Sequence, residues 1–209
     1  MRRRAAASVF GCASVLLSYP GEGYADDLAA VAGAARTLPD GRPRASLEEA
    51  TEWLRGLSLL EAATGYVATF DLRRGICLYL TYYRHGDTRE RGMALTALVD
   101  AFRAAGYRVA PGELPDFLPA LLELAAVAPA GAAVLADQRM ALDALRLALE
   151  KAGSRYAGVL SAICEALPGP SRTDRDALHR YRAQGPPSER VGLEPFAPPE
   201  MLGREVTAP

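Results

Sequence analysis

The stretch YVATFDLRRGICLYLTYYRHGDTRER, residues 66–91, combines a long apolar run with four tyrosines and five arginines. It contains no metal-binding cluster, no activated nucleophile and no phosphate-binding loop. Aromatic rings and arginines are enriched where one polypeptide binds another. The stretch therefore predicts a surface that holds a partner chain.

On the N-terminal side, an apolar run at residues 5–17 follows three arginines, a pattern also found in secretory signals. However, Val9, Ala13, Leu16 and Leu17 recur at helical spacing, and a turn at Pro20 ends the run. We expect the first helix of the folded domain here. Because no later run approaches the ~20 apolar residues of a membrane span, no direct membrane insertion is predicted.

Helix starts are predicted where a serine is followed three residues later by a glutamate, the spacing of a capping box. Ser46 with Glu49 and Ser58 with Glu61 both match it. Asp71 is expected to begin the next helix, which would continue through residue 83, be apolar on nearly every side and lie centrally.

Farther along, Asp87 lies three residues before Glu90 and resembles a cap for a helix that stops at Gly106. Pro119 can occupy the first turn of the following helix. The leucines of residues 135–149 predict one long helix, and residues 156–167 predict the last helix of the core. These patterns indicate an all-α fold, a single bundle of about nine helices at residues 1–167.

Residues 168–209 contain eight of the fifteen prolines and are predicted to be a flexible, mostly disordered tail. We expect a short helix at residues 174–182 within this tail. A small apolar island at residues 191–196 is interpreted as resting on the core rather than as a docking motif.

Composition argues against several classes of function. The net charge is -1, the two histidines lie apart, and the three cysteines are widely spaced. Neither a metal site nor a disulfide framework is indicated, and no known catalytic motif is present, so an enzyme is not favoured. An all-helical DNA-binding regulator is the alternative, through the arginines of residues 73–91. Asp71, Asp87 and Glu90 would weaken such a basic face, so no nucleic-acid partner is expected.

Three blocks resemble the NarJ-type nitrate reductase assembly chaperones, within the wider TorD-like family of redox-enzyme maturation proteins. The blocks are LLSYP at 16–20; YVATFD at 66–71 with LYLTYY at 78–83, GDTR at 86–89 and RGMAL at 91–95; and ELPDF at 113–117 with LPALLELAA at 118–126. The resemblance extends over residues 8–167. Two positions depart from the family pattern: Ala68 stands where Glu is usual, and Phe117 where His is usual.

The resemblance implies a cytoplasmic chaperone without a cofactor. Such proteins bind the N-terminal segment of the reductase α (catalytic) subunit, keep it competent for molybdenum cofactor insertion and delay its membrane attachment. Proteins that deliver the molybdenum cofactor are further implied partners. A groove beside residues 66–127 would receive an amphipathic peptide. The predicted peptide-binding residues are Phe70, Asp71, Tyr82, Asp87, Arg89, Arg91, Pro115, Asp116, Phe117 and Leu122.

Overall fold

A computed structural model describes residues 2–187, and the side chains of residues 3–187. Within that range the chain forms eleven helices and no β-sheet, which confirms the predicted all-α class. The helices are α1 (Arg2–Leu16), α2 (Tyr24–Arg36), α3 (Arg42–Arg55), α4 (Leu59–Phe70), α5 (Thr81–His85), α6 (Arg89–Ala104), α7 (Leu118–Val127), α8 (Pro129–Asp137), α9 (Arg139–Lys151), α10 (Tyr156–Ala166) and α11 (Arg172–Gln184).

The first helix lies at the centre of the bundle. Helix α1 packs against α2, α3, α7 and α10. Its predicted apolar stripe is buried, with Val9, Ala13 and Leu16 each less than 5% exposed and Leu17 fully covered just beyond the helix. The apolar run at residues 5–17 thus belongs to the core, as the helical spacing predicted.

Helices α1 and α7 run antiparallel and close together. The Ser14 hydroxyl donates to the Pro119 carbonyl at 2.9 Å. Farther along the same pair of helices, a Cβ added at Gly11 would lie 3.8 Å from the Ala126 Cβ. Small residues at these positions therefore permit the close contact.

One of the two predicted capping boxes is present. Ser58 caps α4, where its hydroxyl accepts from the Glu61 backbone N–H and Glu61 accepts from the Ser58 backbone N–H. The prediction at Ser46 is wrong, because α3 already begins at Arg42 and carries Pro43 in its first turn. Proline suits that position since it has no N–H to leave unpaired.

The predicted central helix starting at Asp71 does not form. Residues 71–80 are an irregular connection, and only the five residues of α5 are helical. Gly75 has φ +78°, and the Leu78 carbonyl accepts from the Leu118 backbone N–H at 2.8 Å. Hydrogen bonding to a distant part of the chain thus replaces the local helical pattern.

The start of α6 also differs from its prediction. Thr88, not Asp87, occupies the N-cap position, and it makes no side-chain capping hydrogen bond. The Asp87 carboxylate instead lies 3.6 Å from the Arg91 guanidinium. Asp87 is therefore an ion-pair partner of the first helical turn rather than its cap.

The long helix predicted over residues 135–149 is divided at Gln138 into α8 and α9. Helix α7 includes Pro119 in its first turn, as expected, and ends before Pro129. Helix α8 packs tightly on α7, because a Cβ added at Gly131 would collide with the backbone of Leu124 and Ala125. Only glycine fits at this crossing.

Beyond the core, the short helix predicted at residues 174–182 is present as the longer helix α11. Residues 188–209 of the predicted flexible tail, which include the apolar island at residues 191–196, lie outside the described residues. None of the described helices combines the length and the apolar character that crossing a bilayer requires.

Candidate functional site

A buried carboxylate joins three segments that lie far apart in the sequence. Asp116, at 0% exposure, lies just before α7. Its Oδ2 accepts hydrogen bonds from the Thr81 hydroxyl and from the Thr81 backbone N–H, the latter at 3.3 Å. Its carbonyl accepts from the Leu80 backbone N–H at 3.0 Å. Asp116 therefore holds the start of α5 against the start of α7.

Arg91 adds the first turn of α6 to this cluster. Its Nη2 lies 3.5 Å from Asp116 Oδ2, and its Nε donates to the Thr81 hydroxyl at 3.2 Å. Its Nη1 lies 3.6 Å from the exposed carboxylate of Asp87. The guanidinium thus links a buried carboxylate to one at the surface. We call Thr81, Arg91 and Asp116 the polar node.

An aromatic pair lies next to the polar node. The rings of Tyr79 and Phe117 are 5.5 Å apart, and their backbones form an isolated antiparallel bridge. The Tyr79 hydroxyl donates to Glu113 at 3.4 Å. Burial, with a smaller contribution from the Glu113 carboxylate, raises the pKa of Tyr79. Both rings are half-buried, so the pair has one face in the protein and one at the surface.

The structure brings together seven of the ten predicted binding residues around the polar node. Arg91 and Asp116 belong to it, Asp87 pairs with Arg91, and Pro115 and Phe117 flank Asp116 in the sequence. Tyr82 follows Thr81 in α5 and is half-buried. The exposed Arg89 lies in the same first turn of α6 as Arg91.

The remaining predicted residues lie elsewhere or inside the protein. Phe70 is 4% exposed, and its ring packs 4.9 Å from those of Tyr66 and Tyr156 in the core. Leu122 is completely buried in α7, whereas Asp71 is exposed just beyond α4. Phe70 and Leu122 can thus support a binding surface only from beneath.

Sequence reasoning missed Thr81 and Tyr79 as parts of the site. Both lie within the single helix that was predicted from Asp71 through residue 83. Thr81 becomes important only because Asp116, thirty-five residues later, accepts its hydrogen bonds. No local pattern signals that pairing.

Two surface depressions lie at a different place from the groove that was predicted beside residues 66–127. The larger, about 590 Å³, lies between the turn before α2 and the turn before α4, with Tyr24, Arg55 and Leu59 in its wall. The smaller, about 220 Å³, adjoins it, and Glu123 alone among its lining residues comes from residues 66–127.

Two of the five arginines proposed for a DNA-binding face form ion pairs within the chain. Arg84 lies 3.5 Å from Asp174, and Arg91 pairs with Asp87 and Asp116. These ion pairs agree with a salt-bridged helix end rather than a phosphate-binding face. Within residues 2–187 there is also no cluster of three or more side chains able to hold a metal ion.

All three cysteines are free, as their wide spacing predicted. Cys12 and Cys164 are buried, and Cys77 is half-buried. Burial raises the pKa of each thiol, to about 12 for Cys164. These cysteines therefore pack as small apolar side chains.

Comparison with known proteins places this architecture in a family. Residues 38–162, more than half of the chain, match the family model described as nitrate reductase delta subunit. The protein named Probable nitrate reductase molybdenum cofactor assembly chaperone NarJ from Bacillus subtilis is 33% identical over 160 residues. That alignment covers 76% of this chain and 87% of the relative.

Two further relatives match over smaller shares of their length. Nitrate reductase-like protein NarX of Mycobacterium tuberculosis is 41% identical over 162 residues, which are 75% of this chain but only 24% of NarX. The chain thus spans about a quarter of that relative. The nitrate reductase molybdenum cofactor assembly chaperone NarJ of Escherichia coli is 37% identical over 100 residues, 47% of this chain and 42% of the relative. By the family model and the near full-length match to the Bacillus protein, this chain belongs to the nitrate reductase delta subunit family.

Proposed function

We propose that this protein is an assembly chaperone for a nitrate reductase and not an enzyme itself. Its client is the catalytic subunit, which it keeps competent for molybdenum cofactor insertion. The alignment with the Bacillus NarJ protein carries this proposal, because it extends over 87% of that assembly chaperone. The chaperone acts in the cytoplasm, binds the N-terminal segment of the client and delays its attachment to the membrane.

The surface around the polar node is the proposed place of contact. Tyr82 and Phe117 offer half-buried rings, and Asp87 and Arg89 offer charges at the rim. A peptide helix would place its apolar side on the rings, while the charges set its orientation. Asp71 extends the charged rim toward α4 in this proposal.

Four predicted residues act from beneath the surface in this scheme. Asp116 and Pro115 are buried and fix the start of α7, on which Phe117 is presented. Phe70 and Leu122 fill the core below. Their substitution would alter binding by disturbing the surface rather than by removing a contact.

The client is tested by purifying the tagged full-length protein from cells grown on nitrate without oxygen. The catalytic subunit of nitrate reductase should copurify, in a form that lacks the molybdenum cofactor. Copurification of DNA and no reductase would refute the assembly role. A second purification after cofactor insertion is complete should recover far less of the subunit.

Tyr82→Ala tests the place of contact. We expect affinity for a labelled peptide of the client N-terminal segment to fall by about 2 kcal/mol, or roughly thirtyfold, if Tyr82 anchors the interface. Tyr107→Ala is the matched control, since Tyr107 is an exposed tyrosine beyond the far end of α6. Equal affinity of the folded Tyr82 variant and the control would exclude Tyr82 as a contact.

A further inference from the structure

Helix α11 lies on the bundle in the way that an amphipathic peptide lies in a groove. Its half-buried side chains are Asp174, Ala177, Leu178 and Tyr181, and its other nine residues are exposed. The spacing of these four, at positions i, i+3, i+4 and i+7, places them on one face of the helix. The three apolar ones pack against the main core.

The surface beneath α11 is formed by α9 and α5. The Arg84 guanidinium lies 3.5 Å from the Asp174 carboxylate, near the start of α11. The rings of Tyr83 and Tyr181 are 5.5 Å apart, near its end. The helix therefore meets α5 through one charged contact and one aromatic contact.

The chain continues over α5 after α11 ends. The Pro187 carbonyl lies so close to Gly86 that a Cβ at residue 86 would have no room. Gly86 belongs to the GDTR block at residues 86–89 and directly follows α5. The C-terminal segment thus covers part of the region that contains the candidate site.

Helix α11 is held less firmly than the helices beneath it. It has no buried residue, whereas α9 has seven, Leu145 and Leu149 among them. A helix of 13 residues is marginally stable in water on its own. Loss of the contacts with α5 and α9 would therefore release and unfold α11 with little effect on the buried core.

The connection before α11 provides a fixed point for such release. Arg139 in α9 donates to the carbonyls of Cys164 and Pro168, at 3.0 and 2.6 Å. The chain is thus anchored up to Pro168, and Gly169 follows before the capped start of α11 at Ser171. Movement of α11 would begin at this glycine.

We propose that the surface of α5 and α9 beneath α11 is a docking site for an amphipathic helix of the client, and that α11 is its intramolecular competitor. A helix that takes this place needs a carboxylate in its first turn, opposite Arg84. It needs apolar residues three, four and seven positions later, as α11 has. This proposal rests on the proposed function for the identity of the client.

The position of the docking site agrees with the candidate contact surface. The ring of Tyr82 lies 6.4 Å from that of Tyr83, which α11 covers. A client helix in the place of α11 would therefore lie beside Tyr82. Release of α11 would therefore also expose the part of the candidate contact surface next to Tyr82.

The test uses the full-length protein with one of two glutamate substitutions in α11. Leu178→Glu places a charge between α11 and the core, whereas Ala183→Glu places the same charge on the exposed side of the helix. Two fluorescent peptides serve as probes: residues 171–184 of this chain, and the N-terminal segment of the reductase catalytic subunit. Binding is measured by fluorescence anisotropy.

We expect both probes to bind the Leu178→Glu protein at least about tenfold more tightly than the unsubstituted protein, because the internal competitor has left the site. The Ala183→Glu protein should match the unsubstituted protein. Circular dichroism checks that the variants are folded. If Leu178→Glu does not fold, Tyr181→Ala loosens the same contact without introducing a charge.

The outcomes separate this inference from the proposed function. If the reductase peptide binds the Leu178→Glu and Ala183→Glu proteins equally, the docking site under α11 is refuted and the assembly role is unaffected. If the reductase peptide binds none of the proteins while the α11 peptide gains affinity for Leu178→Glu, the proposed client is wrong. The docking site under α11 is then still supported.

Discussion

Replacing Asp116 with alanine should destabilise the protein more than any surface substitution, because Asp116 connects α5, α6 and α7 from a fully buried position. The change leaves the buried Thr81 backbone N–H without its acceptor, and an unsatisfied buried donor costs about 1–3 kcal/mol. Arg91 loses one carboxylate but keeps Asp87, and 21% of its side chain remains exposed. The weakened ion pair of Arg91 should therefore lower the free energy of unfolding by only about 1 kcal/mol. Breaking a fully buried ion pair costs about 3–5 kcal/mol.

One feature of the polar node reduces this loss. Within the described residues, Asp116 Oδ1 is buried and accepts no hydrogen bond, so alanine also removes an oxygen that is unfavourable to bury. The lost hydrogen bond from the Thr81 hydroxyl offsets this gain, so we expect a net decrease of about 2–4 kcal/mol in the free energy of unfolding. With a urea dependence of about 2 kcal/mol per M, the unfolding midpoint should fall by about 1–2 M.

Urea unfolding followed by circular dichroism measures this change. Asp116→Asn should lower the free energy of unfolding less than Asp116→Ala does, because the asparagine side-chain oxygen can still accept hydrogen bonds from Thr81. Asp137→Ala is the control, since Asp137 is an exposed aspartate in α8 and should stay within about 0.5 kcal/mol of the original protein. A decrease below about 1 kcal/mol for Asp116→Ala would contradict the role assigned to the polar node.

Three further substitutions or reactions test other features of the fold. Ser58→Ala should lower the free energy of unfolding in urea by about 1 kcal/mol, because it removes the cap of α4. Ser46→Ala, inside α3, should leave the free energy of unfolding almost unchanged. Equal losses in the two variants would contradict the assigned helix starts. Gly131→Ala should lower the free energy of unfolding by about 3 kcal/mol or more, because its Cβ would meet the α7 backbone. Gly92→Ala in α6, where no atom lies near the added Cβ, should instead raise the free energy of unfolding by about 0.5–1 kcal/mol. Thermal unfolding compares the two variants. Cys164 should resist iodoacetamide at pH 9 until the protein unfolds, since burial raises the pKa of its thiol to about 12 and leaves about one thiolate in a thousand. The same shift means that the thiol's contribution to stability is present below the unfolded pKa and is lost as pH rises toward 12. Fast alkylation of the native protein, detected by mass spectrometry, would show that the thiol is accessible.

The sequence predicted those helices whose apolar stripes and end signals agree. The stripe of α1 and the capping box at Ser58 are examples, because their determinants lie within a few residues of each other. The division at Gln138 was missed because the leucines on its two sides continue one apparent stripe. The capping spacing at Ser46 predicted a helix start that does not occur, because α3 begins earlier, at Arg42, with Pro43 in its first turn.

The candidate site was less predictable, since its contacts join residues far apart in the sequence. Residues 76–80 look like part of a central helix because all five are apolar or aromatic. They are so because they are buried or half-buried in an irregular segment, and Leu78 and Leu80 hydrogen bond to the chain at Leu118 and Asp116. The composition indicated burial correctly, but local periodicity could not identify the backbone partners.

The central place of α1 has a consequence for the synthesis of this protein. Its apolar face is covered by α7 and α10, which the ribosome produces about 100 to 150 residues later. At roughly 5–20 residues per second, that face remains uncovered for on the order of ten seconds. A protein proposed to bind an immature enzyme thus exposes an apolar face of its own during synthesis. We expect general chaperones of the cell to bind this nascent chain.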